Sequence, residues 1–168
     1  GTIKGPEETL AAKVARLRAL SQAEAKMQSA ALPDPRVYAV ADWPAEARLW
    51  FFKAGLSSAD IGKLGAYYHP PSKRAVLPVL VRSGGIDRAV FWQARALTAG
   101  QVPKYMAPNV DKSKVLPRYG KADRITLTED ILSAYKVGLV GEGWCLMGTS
   151  LNANTLAKLM ARKCAVNV

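Results

Sequence analysis

Two carboxylates, Glu129 and Asp130, stand between the β-rich run Ile125-Thr126-Leu127-Thr128 and an apolar helical pattern at Ile131, Leu132, Ala134 and Tyr135. Acid at a strand-to-helix junction offers either a ligand for a divalent ion or a cap for the helix. A second junction of this form follows. Trp144 to Met147 reads as a strand, Gly148-Thr149-Ser150 as a turn, and Asn152 as the cap of a helix through Leu156, Leu159 and Met160. Ala165 to Val168 reads as a third strand. Strands alternating with helices of about ten residues predict βαβ units and a parallel sheet, whose ligands lie beyond the carboxyl ends of the strands. Glu129 and Gly148-Thr149 share that edge.

Other reactive side chains are sparse. Cys145 and Cys164 have only His69 as a fellow soft ligand, so no zinc spacing exists, and both are expected to be buried, reduced thiols. His69, in Tyr67-Tyr68-His69-Pro70-Pro71, is expected at a loop or strand edge. The charge is more informative: between Lys73 and Arg124 there are eleven Lys or Arg against three Asp, a net +8 of the chain's +11. A basic segment of this kind suits a polyanion, with nucleic acid the commonest choice. The alternative is a solvated basic face.

These groups need elements to hold them. With 168 residues and 49% apolar side chains, one domain or two small subdomains sharing an interface can form. No apolar run approaches the ~20 residues of a membrane span, and no signal-peptide layout opens the chain, so a soluble cytoplasmic protein without a membrane partner is expected. Pro6 to about Ala31 is predicted as one amphipathic helix, started by Pro6 and Glu7, with Leu10, Val14, Leu17, Leu20 and Met27 apolar. Next comes a helix from Trp43 to Ala54, capped by Asp42 and burying Leu49, Trp50 and Phe52, then a short helix opened by the capping motif Ser57-Ser58-Ala59-Asp60. A hairpin follows: Ala75 to Val81, where Pro78 implies an edge or a bulge, a turn at Arg82 to Arg88, and Ala89 to Leu97 with Gln93 and Arg95 on one face. Ala99 to Lys121 reads as a loop-rich connection.

The succession of these segments resembles the Toprim-containing replicative DNA primases of bacteria and phages. Gly55-Leu56-Ser57 to Pro71, the hairpin with Arg82 and Arg95, Pro103-Lys104-Tyr105-Met106, Lys114, and Leu116-Pro117-Arg118-Tyr119-Gly120 are similar, in one continuous order, to that family's catalytic core. No single piece is specific; their order over residues ~45–168 is. The resemblance implies an α+β basic N-terminal subdomain followed by the first half of an α/β Toprim domain, a βαβαβ unit with a parallel sheet. The divisions are 1–35 for an N-terminal helix or linker, 36–120 for the basic subdomain and 121–168 for the partial Toprim domain.

The same resemblance implies a nucleotidyltransferase that makes short RNA primers on a single-stranded DNA template from ribonucleoside triphosphates, using Mg2+ or Mn2+ and no zinc, with a replicative helicase, separate or fused, as a further partner. It makes Glu129 the catalytic carboxylate and, with Asp130, part of a metal site. Arg82, Arg95, Lys104, Lys114, Arg118, Gly148 and Thr149 become the nucleic-acid and nucleotide contacts. The family's Asp-x-Asp metal ligands are expected beyond Val168, so this chain alone is expected to be inactive. The family has glycine where Asp130 stands and an acid where Ser133 stands. A non-catalytic single-stranded nucleic-acid binder and another Toprim nuclease or topoisomerase are the competing readings.

Overall fold

The computed structural model describes residues 8–27, 29–162 and 165–168, with the backbone alone for 20–27. The helix start at Pro6 and Glu7, the apolar side chains of Leu20 and Met27, and the burial of Cys164 lie outside the described residues. Helix α1 (Leu10–Met27) opens behind Thr9, whose hydroxyl accepts the Ala12 N–H at 3.2 Å. Its side chains from Leu10 to Ala19 are all exposed, so that stretch of the expected apolar stripe covers nothing among the described residues.

The next helix is shorter than its pattern implies. Asp42 ends a 3-10 turn (Val40–Asp42), and α2 (Ala45–Lys53) follows Pro44 without a side-chain cap. Its buried face is Trp43, Ala47 and Phe51, four residues apart, while Leu49 and Phe52 are exposed. The phase is set by Trp43, whose indole N–H donates to the Val37 carbonyl at 2.7 Å and whose ring packs on Phe51. Helix α3 (Ser58–Leu64) has the expected capping box, with Ser57 and Asp60 satisfying each other's backbone N–H. Gly65, at φ +73°, closes it in the left-handed conformation that glycine adopts without penalty.

Strands β1 (Tyr67–His69), β2 (Arg74–Ser83), β3 (Ile86–Ala96) and β4 (Tyr105–Met106) form an antiparallel sheet in that order. His69 sits on edge strand β1, as expected. β1 pairs with Arg74 to Val76, so among the described residues β2 has β3 as its sole strand partner at Pro78, and the register slips between Val79 and Leu80. A residue without an N–H fits there. The segment after β3 is less irregular than expected: besides β4 it holds a 3-10 turn (Lys112–Lys114), capped by Asp111, and strand β5 (Arg118–Gly120).

The second sheet takes β5, β6 (Arg124–Thr128), β7 (Glu142–Cys145) and β8 (Ala165–Asn167), with α4 (Ile131–Gly138) and α5 (Ala153–Arg162) as crossovers. Its order is β5-β7-β6-β8. β6 is parallel to β7 and to β8, but β5 runs antiparallel to β7, so the sheet is mixed rather than wholly parallel. β5 enters from the carboxyl side of the parallel strands, where the Pro117 carbonyl accepts the Cys145 N–H at 2.9 Å, and has to run the other way. β7 starts two residues earlier than expected. Gly143 within it lets α4 lie against the strand, because a Cβ there would run into the Ala134 carbonyl. Asn152 caps α5 as expected, accepting the Thr155 N–H at 2.9 Å. Thr155 and Leu159 are its buried residues, while Leu156 and Met160 are exposed.

One apolar cluster joins Phe51, Ile61, Val79 and Phe91 to Ile131, Ala134, Tyr135 and Cys145, so both sheets close on a common core. Ile125, Leu127, Trp144 and Leu159 form a second cluster. Beside it Glu142, 4% exposed, accepts hydrogen bonds from the Ala122 N–H, the Trp144 indole and both terminal nitrogens of Arg162, at 2.7–2.9 Å. Burial alone would raise the Glu142 carboxyl; Arg162, the Ala122 N–H and Trp144 outweigh it and hold the group at about 2. Among the described residues, no helix is long and apolar enough to cross a membrane.

Candidate functional site

The carboxyl ends of β6 and β7 are stitched together by main-chain bonds. Leu146 N–H donates to the Thr128 carbonyl at 2.8 Å, and Gly148 N–H to the Glu129 carbonyl at 3.1 Å. Between them Met147 sits at φ +52°, a strained position for a side-chain-bearing residue. Glu129, Gly148 and Thr149 are exposed on this edge, and the predicted juxtaposition of the two junctions is present.

Asp130, not Glu129, caps α4. Its Oδ1 accepts the Ser133 N–H at 2.9 Å and its Oδ2 the Ser133 hydroxyl at 2.7 Å. Both carboxylate oxygens are therefore engaged, which leaves Glu129 as the open acid at the junction. Among the described residues no group of three or more His, Cys, Asp or Glu is placed to hold a metal ion. One exposed glutamate beside a hydrogen-bonded aspartate does not complete the oxygen shell that magnesium requires, so no chemical step is assigned to an ion here.

A basic group is gathered on the first sheet. Arg95 on β3 pairs in register with Tyr105 on β4, and its guanidinium lies 5.1 Å from the Tyr105 ring centre and 5.8 Å from that of Trp50 on α2. The Lys104 ammonium lies 5.7 Å from the same tyrosine ring. The Tyr105 phenol feels charges of both signs. Burial raises its phenol, the Arg95 charge opposes that rise, and the Asp130 carboxylate adds to it. A pocket of about 370 Å³ opens beside the pair, lined by Trp50, Arg95, Thr98, Gln101 and Lys104.

The loop that presents Lys104 is anchored. The Gln101 side chain accepts the Leu97 N–H at 2.9 Å and donates to the Ser72 carbonyl at 2.8 Å. Arg74, 3% exposed, directs one terminal nitrogen at the carbonyls of Ala94 and Lys104 at 3.4 and 3.5 Å. Neither Gln101, Arg74 nor Tyr105 stands out in the sequence as a site residue, and Trp50 reads there as core. The only local signal is the Lys104-Tyr105 doublet.

The remaining predicted contacts are spread out. Arg82 lies near the tip of the hairpin, bonded at 3.4 Å to the Gly85 carbonyl. Lys114 is exposed and 4.0 Å from Asp111. Arg118 lies over the Trp144 ring at 5.6 Å and lines a separate groove of about 400 Å³ with Lys63, Leu80 and Leu116. Cys145 is buried, as expected, and burial pushes its thiol up to about 12 despite the Met147 N–H that points at the sulfur.

No protein-family model and no curated protein matches the chain. Solved structures do. The RNA polymerase domain of Mycobacterium tuberculosis primase DnaG superposes with a TM-score of 0.56 at 18% identity, over 88% of this chain and 61% of that one. The same domain in complex with a double-stranded DNA oligomer bearing a 6-nucleotide overhang gives 0.53 at 19% identity, over 88% and 59%. The chain thus spans about three fifths of the length of these neighbours. What is shared is architecture: over 88% of its length the chain has the fold of the RNA polymerase domain of a bacterial DnaG primase.

Proposed function

We propose that this chain is part of the primer-synthesising core of a DNA primase, a nucleotidyltransferase that copies single-stranded DNA into short RNA from ribonucleoside triphosphates. The observation that carries this reading is the grouping of Arg95 and Lys104 about the Tyr105 ring, with Glu129 exposed where β6 meets α4, in a chain with this fold. Cations that hold phosphates and an acid that serves a divalent ion are the parts nucleotidyl transfer requires. In this reading residues 36–120 form the basic subdomain and 121–168 the first half of a Toprim domain. Glu129 is the active-site carboxylate and one ligand of a Mg2+ or Mn2+ site that the described residues alone do not complete. Arg95, Lys104 and Lys114 follow template or triphosphate, and Gly148-Thr149 borders the same site.

The test is primer synthesis on single-stranded DNA by the natural full-length protein, parent against Glu129→Gln. Loss of synthesis with template affinity unchanged or slightly raised supports the reading, since removing a negative charge beside a basic cleft does not repel DNA. Full activity in the variant refutes the role given to Glu129. One observation favours a second reading, a non-catalytic binder of single-stranded nucleic acid: the Asp130 oxygens are spent on Ser133. That reading expects tight binding and no synthesis by either protein.

A further inference from the structure

Arg95 differs from Arg162, Arg36 and Arg74 in where its hydrogen bonds go. Arg162 donates to Glu142, Arg36 to Asp34, and Arg74 to main-chain carbonyls. Among the described residues nothing accepts a hydrogen bond from the Arg95 guanidinium, and no carboxylate pairs with it; its contacts are the two rings of Trp50 and Tyr105. A guanidinium held by aromatic rings keeps its N–H donors free for an outside acceptor. The rings come from different elements, α2 and β4, and the indole is fixed in turn. Trp50 stands edge-on to Phe51 at 4.8 Å, and Phe51 is fully buried in the main core.

We propose that Trp50 is a positioning residue, which aims the Arg95 guanidinium at a phosphate of a single-stranded nucleic acid bound along the pocket between Trp50 and Lys104. The proposal rests on the nucleic-acid reading above and extends it to a residue whose own side chain has no charge to offer. It explains why Trp50 turns towards this pocket although the buried face of its helix is completed by Trp43, Ala47 and Phe51.

The experiment is fluorescence anisotropy of the 168-residue chain with a labelled oligothymidylate over a series of salt concentrations, for the parent, Arg95→Ala, Trp50→Leu, Trp50→Phe and the Trp50→Leu/Arg95→Ala double variant. Melting curves for each check the fold; where Trp50→Leu lowers the melting temperature, Trp50→Met, closer in volume, takes its place. Arg95→Ala is expected to weaken binding and to reduce the salt slope by about 0.7, one phosphate contact on a single strand. Trp50→Leu is expected to weaken binding about threefold to tenfold and Trp50→Phe much less, because the ring is what acts on the cation. In the Arg95→Ala background Trp50→Leu is expected to have no further effect. Trp50→Leu without effect while Arg95→Ala weakens binding overturns the positioning role and leaves the proposed function standing. An undiminished loss from Trp50→Leu in the Arg95→Ala background shows that Trp50 acts by another route and also overturns it. Arg95→Ala without effect overturns both.

Discussion

Asp130 and Ser133 are bonded twice, main chain to Oδ1 and hydroxyl to Oδ2. The two residues complement each other: the aspartate caps the helix, and the serine gives that cap a second donor without adding a like charge. Asp130→Ala is expected to cost about 1 kcal/mol, as for other N-caps, and Ser133→Ala less, because the backbone bond to Oδ1 survives. Urea unfolding of the two single variants and the double variant checks this. The double variant should be clearly less destabilised than the sum of the singles.

Glu142 makes stability depend on acid. Its carboxyl is held at about 2 in the folded protein and returns to the ordinary range near 4.5 on unfolding. Its contribution is therefore complete above about pH 5 and is lost as the pH falls towards 2. Glu142→Gln is expected to remove that part of the acid dependence and to cost about 2–3 kcal/mol at neutral pH, less than a fully buried pair because Arg162 keeps some solvent contact. Thermal melts of parent and variant between pH 2 and 7 measure both effects.

Replacing Lys104 and Lys114 together by alanine should weaken single-stranded DNA binding and lower its salt slope by about 1.4, roughly 0.7 for each phosphate that is no longer neutralised. An unchanged slope would return both lysines to the solvated face that a basic composition also permits.

The local signals in the sequence are readable where a bond closes within a few residues. The Ser57-Asp60 box and the Asn152 cap are of this kind. The helical pattern puts the buried face of α2 in the wrong phase, because α2 is fixed by the bond from Trp43 to Val37, which is not part of that pattern; in α5 the pattern includes the buried Leu159 and misses Thr155. The site divides in the same way. Glu129 and Gly148-Thr149 follow from strand-to-helix junctions, whereas the pairing of Arg95 with Trp50 and Tyr105 exists only once three elements have been brought together.

Gly143→Ala is expected to destabilise the protein by more than about 2 kcal/mol, since the new methyl group meets the main-chain oxygen of Ala134 and neither α4 nor β7 can withdraw without opening the core they share. Gly100→Ala, where a methyl group meets nothing, is the matched control. Denaturant midpoints compare the two.

The placement of β6 between β7 and β8 sets an order on how the second sheet matures. Both neighbours of β6 lie later in the chain and each returns through a helical crossover, so neither side of the strand that leads into Glu129 can pair until a long loop has closed. The hairpin of β2 and β3, joined by a tight turn, faces no such delay. Pulse-labelled hydrogen exchange during refolding is therefore expected to protect the amides of β2 and β3 before those of β6. During synthesis the hairpin that carries Arg82 and Arg95 would then be in place while the strand before Glu129 is still waiting for its neighbours.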